Sequence, residues 1–275
     1  MAKRSLSIRL SIFVILLGIL LYWFGKPNEE NRDDDLGHGS MFDRIAGRYD
    51  RTNRVMSLGM DKGWRRVLVR ALDLKANDNV LDLATGTADV AILEAHAGAG
   101  KVLGIDPSAN MISIGREKLV HESVQDRVSL ELGDATQLDT LTNKSFDKIS
   151  IAFGIRNIPN IPQALIEMRR VAKPKAILAI LEFCEPESGP LAPIARFFIR
   201  FIVPRIGALL SGAHWNEYRH LQASIAAFPS PSKFAHIINQ AGFHVYEIRL
   251  LAFGSVALYL ASPLNSTNSM MMTSS

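Results

Sequence analysis

The residues of this sequence best suited to holding a ligand are a glycine-containing turn and two aspartates that follow it. The turn spans 82–87 and contains Gly86, which lets a ligand approach the backbone closely. Asp106 ends the next apolar run, and Asp134 ends the one after that. A carboxylate at 106 suits the two hydroxyls of a ribose, and an acceptor at 134 suits an adenine amino group. The pattern predicts a nucleoside site, whereas the lack of a G-x-G-x-x-G run argues against a dinucleotide. The alternative is that these aspartates only cap helices and turns.

Short apolar runs that end in turn residues alternate along the chain with helix-forming stretches. This alternation predicts an α/β fold with a doubly wound, mostly parallel, Rossmann-like sheet of seven strands. Ligands of such sheets bind outside the carboxyl ends of the strands, where the turn and the aspartates converge. Ser108 is the predicted amino-terminal cap of a helix. The predicted strands are 79–83, 101–105, 128–132, 146–152, 176–183, 245–251 and 255–261, and the predicted helices are 88–97, 108–121, 162–171 and 232–241.

Charge and cysteine content exclude several classes of protein. The net charge of +4 belongs to the amino-terminal tip, because residues 1–28 hold four basic residues and no acid. The rest of the chain is balanced, which argues against nucleic acid as a partner. Cys184 is the only cysteine, so no internal disulfide forms. No group of His and Cys residues has the spacing of a metal site, and we predict no metal.

The first 28 residues predict a membrane anchor or a targeting segment. An uncharged run lies between Arg9 and Lys26, slightly shorter than the ~20 residues that normally cross a bilayer. The two flanking basic side chains can reach the interface. A cleaved presequence is the first alternative, because the segment is basic at its start and free of acid. A buried globular helix is the second. Residues 29–40 are strongly polar and predict a linker.

Motifs of a known family surround the turn and the aspartates. Val-Leu-Asp-Leu-Ala-Thr-Gly-Thr at 80–87, Gly-Ile-Asp at 104–106 and Gly-Asp-Ala at 133–135 resemble class I S-adenosylmethionine-dependent methyltransferases. More narrowly, the chain resembles the ubiquinone/menaquinone biosynthesis C-methyltransferase family from about residue 41 to residue 261. The segments that carry this narrower resemblance are Tyr-Asp-Arg-Thr-Asn-Arg-Val-Met-Ser-Leu-Gly at 49–59 with Trp64, Phe-Gly-Ile-Arg-Asn at 153–157, Arg-Val-Ala-Lys-Pro at 170–174 and Leu-Glu-Phe at 181–183.

The resemblance implies S-adenosylmethionine as the cofactor and a prenylated benzoquinol or naphthoquinol ring as the methyl acceptor. It implies catalytic roles for Arg156, Asn157 and Tyr49. The alternative for Arg156 is an ion pair with Asp134 or Glu182. Other expected acceptors are a lipophilic phenol or a sterol, and the non-enzymatic alternative is a cofactor-binding scaffold subunit of a quinone-biosynthesis complex. The implied cofactor-binding residues are Asp82, Thr85, Gly86, Thr87, Asp106, Asp134, Ala135 and Ser150.

Several positions depart from the family's usual residues. Thr52 stands where methionine is usual, Asp61 where histidine is usual, and Ala88 where the glycine-rich turn usually ends in glycine. Lys175 and Ala176 stand where two glycines are usual, and Ala152 where a polar residue often precedes the Phe-Gly pair. Alanine has less backbone freedom than glycine at position 88.

The predicted methyltransferase domain spans 41–262 and contains an insertion at about 184–230, and residues 263–275 predict a disordered tail. Apolar residues with arginines at 196 and 200 indicate a port for a polyprenyl tail, with a core helix or dimer contact as the alternative. His214, Trp215 and Tyr218 also lie in the insertion.

We expect a membrane surface or a single anchor, other quinone-biosynthesis proteins and a homodimer as partners. The expected location is the matrix side of the mitochondrial inner membrane, with a plastid second.

Overall fold

A computed structural model describes residues 40–57, 59–185, 224–225 and 227–264. Helices and strands alternate through most of this part of the chain, and a short 3₁₀ turn follows the fourth strand. In chain order the elements are α1 (Ser40–Met56), α2 (Asp61–Ala71), β1 (Asn79–Leu83), α3 (Asp89–His96), β2 (Lys101–Asp106), α4 (Ala109–His121), β3 (Val128–Leu132), β4 (Phe146–Ala152), the 3₁₀ turn Ile155–Asn157, α5 (Ile161–Val171), β5 (Ala172–Phe183), α6 (Pro231–Gln240), β6 (Phe243–Leu251) and β7 (Val256–Pro263).

The seven strands form one sheet in the order β3-β2-β1-β4-β5-β7-β6. The first five of that order run parallel, β7 is antiparallel to β5, and β6 is antiparallel to β7. This arrangement confirms the predicted fold class. The chain moves outward from β1 to β3 and then returns to the other side of β1 with β4. The connections after β1 and β4 therefore diverge, which opens a crevice at the carboxyl edge of the sheet.

Several element bounds agree with the sequence pattern. β1, β3 and β4 have the predicted bounds. The hydroxyl of Ser108 accepts the backbone N–H of Met111 at 3.2 Å, which confirms the predicted cap of α4. β5 begins at Ala172 rather than at 176, because the residue before Pro174 favours an extended backbone and Ala172 pairs with Phe146 of β4.

Apolar side chains cover both faces of the sheet. On one face, α2, α3 and α4 pack over side chains such as Val80, Val102 and Leu181. On the other face, α5 and α6 pack over side chains such as Leu81 and Ile149. Because both faces are buried, neighbouring residues of a central strand contact different cores. This two-sided packing holds the carboxyl ends of the strands in fixed positions.

Helix α1 lies over the carboxyl edge of the sheet and is held there by polar contacts. Asp43 of α1 accepts the backbone N–H of Asn110 at 3.0 Å and the hydroxyl of Ser108. Asp50, two turns further along α1, accepts the hydroxyl of Thr87 at 2.8 Å. These contacts join α1 to the start of α4 and to the turn after β1. The helix therefore forms one side of the crevice.

Some predicted regions lie outside the described residues. They are residues 1–39, with the predicted anchor and most of the linker, residues 186–223 of the insertion, and the tail from 265. The port, His214, Trp215 and Tyr218 belong to this group and stay predictions. Among the helices of the described ranges, none combines the length and the apolar character that crossing a membrane requires.

Candidate active site

A cavity that opens to solvent lies in the crevice at the carboxyl ends of β1 to β4. Its position outside the carboxyl ends of parallel strands is where such sheets bind ligands. Helix α1 covers the cavity with Phe42 and Tyr49. Six of the predicted site residues line it, and they come from α1, from the strand ends and from the 3₁₀ turn. These six are Tyr49, Gly86, Asp106, Asp134, Ala135 and Asn157.

Asp106 is fixed at the end of β2 by two backbone groups. Its Oδ2 accepts the N–H of Gly86 at 2.8 Å, and its Oδ1 accepts the N–H of Ser108 at 2.9 Å. Burial raises the pKa of Asp106, and the carboxylate of Asp43 raises it further, while the two N–H groups lower it. Each carboxylate oxygen can accept a second hydrogen bond. The group is therefore oriented and able to bind a pair of hydroxyls.

The turn after β1 leaves open space beside the backbone. Gly86 has φ +56°, and a Cβ built on it would meet no heavy atom within 4 Å. Ala84, with φ +48°, and Ala88, with φ +66°, also adopt the left-handed conformation that favours glycine. Ala88 precedes α3 and is fully buried, so burial of its methyl group offsets part of the backbone strain. The open turn and the oriented Asp106 fit a nucleoside cofactor such as S-adenosylmethionine.

Beneath this turn lies a buried group of polar side chains. Asp82 accepts the hydroxyl of Thr85 at 2.6 Å and the hydroxyl of Ser150 at 2.9 Å. Burial raises the pKa of Asp82 to about 6. Among the described residues, Glu94 of α3 has no hydrogen-bond partner at either carboxyl oxygen. Burial, followed by the carboxylate of Asp82, raises the pKa of Glu94 well above its usual value, and the nearby hydroxyl of Ser150 opposes the rise. These residues support the turn from below.

The remaining predicted cofactor-binding side chains do not line the cavity. Asp82, Thr85 and Ser150 bond to one another below it. Thr87 donates to Asp50 and accepts from the ammonium group of Lys118 at 2.8 Å, which ties the turn to α1 and α4. Glu94 is not among the residues predicted from the sequence. It follows Val90 by four residues and Ala91 by three, so it shares the buried face of α3 with them. This helical spacing was the signal that could have predicted its burial.

Arg156 forms a buried ion pair with Glu182 of β5. The two side chains are 7% and 0% exposed, and Nη1 of Arg156 lies 2.5 Å from Oε1 of Glu182. This confirms Glu182, one of the two predicted alternatives, as a partner. Nη1 also donates to the carbonyl of Phe153 at 2.8 Å, while Nε is buried and has no hydrogen-bond partner among the described residues. Burial raises the pKa of Glu182, and the charge of Arg156 opposes that rise.

Tyr49 of α1 is the phenol of this cavity. Burial raises the pKa of its hydroxyl above 10. The charges of Arg65 and Arg156 and a hydrogen bond with Asn53 lower it, and the carboxylate of Asp106 raises it. Tyr49 therefore stays protonated near neutral pH and serves as a hydrogen-bond donor. Its hydroxyl is within electrostatic reach of both Asp106 and Arg156.

Aromatic rings pack together next to the cavity, near Arg156. Phe153 lines the cavity, and its ring centroid lies 4.6 Å from that of Phe183. Trp64 of α2 packs against both rings, with centroids 6.1 Å away in each case. Arg65 lies over Phe153, and its Nη1 bonds to Asp61 at 2.7 Å. Asp61, at the position where the family usually has histidine, is thus a buried acid paired with an arginine.

Within the described ranges, no group of His, Cys, Asp and Glu residues could hold a metal ion.

Comparison with known proteins agrees with this site. The model of the ubiE/COQ5 methyltransferase family matches residues 29–262, and the chain belongs to this family. The chain is 37% identical over 223 residues to the demethylmenaquinone methyltransferase of Bacteroides fragilis, a match that covers 81% of the chain and 90% of that relative. It is 40% identical over 235 residues to the ubiquinone/menaquinone biosynthesis C-methyltransferase UbiE of Syntrophotalea carbinolica, covering 85% and 94%. The resemblance found in the sequence is confirmed, and the enzyme is an S-adenosylmethionine-dependent C-methyltransferase.

Solved structures share the fold at low sequence identity. A SAM-dependent methyltransferase from Aquifex aeolicus superimposes with a TM-score of 0.53 at 20% identity, covering 73% of this chain and 89% of the other. The [4+2]-cyclase SpnF superimposes with a TM-score of 0.58 at 16% identity, covering 82% and 96%. Proteins with different named activities thus share this fold, so the fold alone does not determine the reaction.

Proposed function

We propose that this enzyme transfers a methyl group to a ring carbon of a prenylated benzoquinol or naphthoquinol in ubiquinone/menaquinone-type quinone biosynthesis. The observation that carries the proposal is a single cavity with two chemically different sides. Asp106 provides hydrogen-bond acceptors on one side, and Tyr49 and Asn157 provide hydrogen-bonding groups on the other. The names of the relatives from Bacteroides fragilis and Syntrophotalea carbinolica support a quinone acceptor.

On the cofactor side, Asp106 holds the ribose hydroxyls, Asp134 and Ala135 hold the adenine, and Gly86 lies beside the amino acid portion. Asp82, Thr85, Thr87 and Ser150 act indirectly by supporting the turn, since their side chains bond to one another or to α1 and α4. Bound S-adenosylmethionine supplies a methyl group on a positively charged sulfur, which is already activated toward a nucleophilic carbon. The task of the protein is therefore to align the acceptor ring with that methyl group.

On the acceptor side, Tyr49, Arg156 and Asn157 stabilise charge on the quinol. A quinol carbon becomes more nucleophilic as its hydroxyl loses a proton, and negative charge then develops on that oxygen. Tyr49 donates a hydrogen bond to this oxygen, because the raised pKa of Tyr49 keeps its hydroxyl protonated. Arginine is always charged, so Arg156 does not accept the proton; it orients the water that takes this proton, or the developing phenolate. After methyl transfer the ring carbon releases its own proton to water, which restores the aromatic ring. Glu182 keeps the guanidinium in place.

The test is methyl transfer by the purified full-length enzyme. It is incubated with methyl-labelled S-adenosylmethionine and, separately, with a prenylated benzoquinol, a prenylated naphthoquinol, an unprenylated phenol and a sterol. Mass spectrometry locates the label. We expect label on a ring carbon of a prenylated quinol. Label only on the phenol or the sterol, or no transfer to any acceptor, contradicts the proposal, and cofactor binding without transfer favours the scaffold subunit.

Membrane association is a further part of the proposal. Its support is the uncharged run 10–25 between two basic residues, together with a lipophilic acceptor. We expect the enzyme at the matrix face of the mitochondrial inner membrane, in contact with other quinone-biosynthesis proteins and as a homodimer. A charge at the centre of the run, Ile15→Lys, is expected to move the protein from the membrane pellet to the supernatant. Recovery in plastids, or an unchanged distribution, contradicts this part.

A further inference from the structure

A stack of two arginines and two aromatic rings reaches the cavity through Phe153, which lines it, while Arg65, Phe183 and Arg156 lie behind the lining. Cζ of Arg65 lies 5.3 Å from the ring centroid of Phe153. The ring of Phe153 lies 4.6 Å from that of Phe183, at an interplanar angle of 33°. Cζ of Arg156 lies 5.4 Å from the centroid of Phe183. The order in space is therefore arginine, ring, ring, arginine. Arg156 is assigned a catalytic role above, whereas Arg65 has no role there.

Both arginines are anchored by buried acids. Asp61 accepts Nη1 of Arg65 at 2.7 Å and the hydroxyl of Ser57 at 2.8 Å. The side chains of Arg65 and Asp61 are 8% and 7% exposed. Removing two charges from water is costly, and a surface pair would stabilise α2 without that cost. The buried guanidinium is held over one particular ring, which suggests a role in fixing that ring.

The ring under Arg65 belongs to a residue in a strained conformation. Phe153 has φ +61°, which is uncommon for a bulky residue and needs support from its surroundings. It stands at the end of β4, and the 3₁₀ turn with Arg156 and Asn157 begins two residues later. Its carbonyl also accepts Nη1 of Arg156 at 2.8 Å. The conformation of Phe153 therefore determines where this turn is presented to the cavity.

We infer that Arg65 is a positioning residue for methyl transfer, which acts by holding Phe153 and through it the turn that carries Arg156 and Asn157. The inference rests on the proposed function for its effect on catalysis. It also makes a claim about the turn itself, which holds whether or not a quinol is the acceptor. Lysine would keep the charge of Arg65 but lacks the flat group that stacks on the ring.

The test uses the full-length double variant Asp61→Asn/Arg65→Met. This change removes both charges together, so no buried charge is left unpaired, and methionine fills the space above the ring. We expect kcat to fall about tenfold, because one buried cation–π contact is lost. We expect the KM for the acceptor and the Kd for S-adenosylhomocysteine to change by less than about threefold, because the other walls are untouched. The matched control is Arg66→Met, an exposed arginine of the same helix, which leaves all three constants unchanged.

Calorimetry and amide exchange separate positioning from a general loss of structure. The calorimetric stoichiometry of S-adenosylhomocysteine counts folded sites, and kcat is expressed per folded site. The backbone N–H of Asn157 donates to the carbonyl of Gly154 at 3.0 Å within the 3₁₀ turn. We expect this amide to exchange several-fold faster in the double variant and at the wild-type rate in Arg66→Met.

A lower kcat per folded site together with faster exchange at Asn157 supports the inference. An unchanged kcat, or a lower kcat with unchanged exchange, overturns it. If the wild-type enzyme transfers no methyl group to a prenylated quinol, the proposed function fails. In that case the exchange rate still decides whether Arg65 holds the turn, so the two failures are distinguishable.

Discussion

Buried acids have different hydrogen-bond partners on the two sides of the cavity. On the cofactor side, hydroxyls and backbone N–H groups donate hydrogen bonds to Asp82 and Asp106. On the acceptor side, Asp61 and Glu182 are each bonded to an arginine that lies over an aromatic ring. Carboxylates held without a cation keep their acceptor capacity for a polar ligand. Arginines held by acids keep their charge in place for a reaction that develops negative charge.

The comparison also explains the direction of the pKa shifts. Burial raises the pKa values of Asp82, Asp106 and Glu182 alike. On the acceptor side, the charge of Arg156 opposes the rise at Glu182, while on the cofactor side burial and the carboxylate of Asp82 raise the pKa of Glu94 and the neutral hydroxyl of Ser150 opposes the rise. Burial without a cation is therefore expected to make the cofactor side the more pH-sensitive of the two.

The largest expected effect comes from removing the ribose acceptor of the cofactor side. We expect Asp106→Ala to weaken S-adenosylmethionine binding by at least about 100-fold, because two hydrogen bonds to a charged group are lost. Isothermal calorimetry measures this change. Asp106→Asn is the matched control: it keeps one acceptor, and we expect an intermediate affinity. Wild-type affinity in Asp106→Ala would remove Asp106 from the cofactor site.

On the acceptor side, loss of the arginine should affect turnover rather than cofactor binding. We expect Arg156→Ala combined with Glu182→Gln to lower kcat by about 100-fold, the usual effect of losing a group that stabilises developing charge. The second change keeps an unpaired charge out of the core. Cofactor affinity measured by calorimetry should stay close to that of the wild type. Equal kcat values in variant and wild type would show that Arg156 has no part in the reaction.

The uncompensated acids of the cofactor side should make stability depend on pH. Because the folded protein binds the Glu94 proton more tightly than the unfolded chain does, the free energy of unfolding falls as pH rises above about 4.5 and through the higher pKa of the folded state. We expect Glu94→Gln to reduce this fall between pH 5 and pH 8, by an amount on the order of 1–3 kcal/mol. Urea unfolding at both pH values measures it.

The control for this pH experiment is Glu117→Gln, which changes an exposed acid of α4 and should leave the pH dependence as it is in the wild type. A Glu94→Gln protein with the full wild-type fall would mean that Glu94 does not carry the proton. Asp82, whose pKa is raised to about 6, would then be the next group to change.

The smallest expected effect concerns backbone strain in the cofactor turn. Ala84 has φ +48°, a conformation that glycine adopts without strain. We expect Ala84→Gly to raise the free energy of unfolding by about 0.5 kcal/mol. Ala91→Gly, within the buried side of α3, should lower it by about 1 kcal/mol or more. Thermal unfolding compares the two, and a shift in the same direction for both would argue against strain at residue 84.

Much of the cofactor side could be predicted from sequence, because short apolar runs with turn residues at their ends have one simple interpretation. β1, β3 and β4 have the predicted bounds for this reason. The side on which Asp82 lies could not be predicted in the same way. Both faces of a central strand are buried, so alternation does not tell a residue that reaches the cavity from one beneath it.

Less of the acceptor side could be predicted from the sequence. The family motif at 153–157 pointed to Arg156, and an ion pair with Glu182 was one of the predicted alternatives. Arg65 and Asp61 pair across one turn of α2 with the spacing of an ordinary exposed pair. Only the packing of α2 on the sheet shows that this pair is buried and lies over Phe153. Contacts between distant segments depend on three-dimensional packing, which a local pattern does not encode.

The position of β7 between β5 and β6 has a consequence for synthesis on the ribosome. β6 is made before β7, yet its place in the sheet is next to β7 rather than β5. Glu182 of β5 pairs with Ala257 of β7. During translation β5, which carries Glu182, therefore lacks this neighbouring strand until residues 256–263 have been made. We expect nascent chains that end before Val256 to lack a completed catalytic edge, so activity appears only after β7 leaves the exit tunnel.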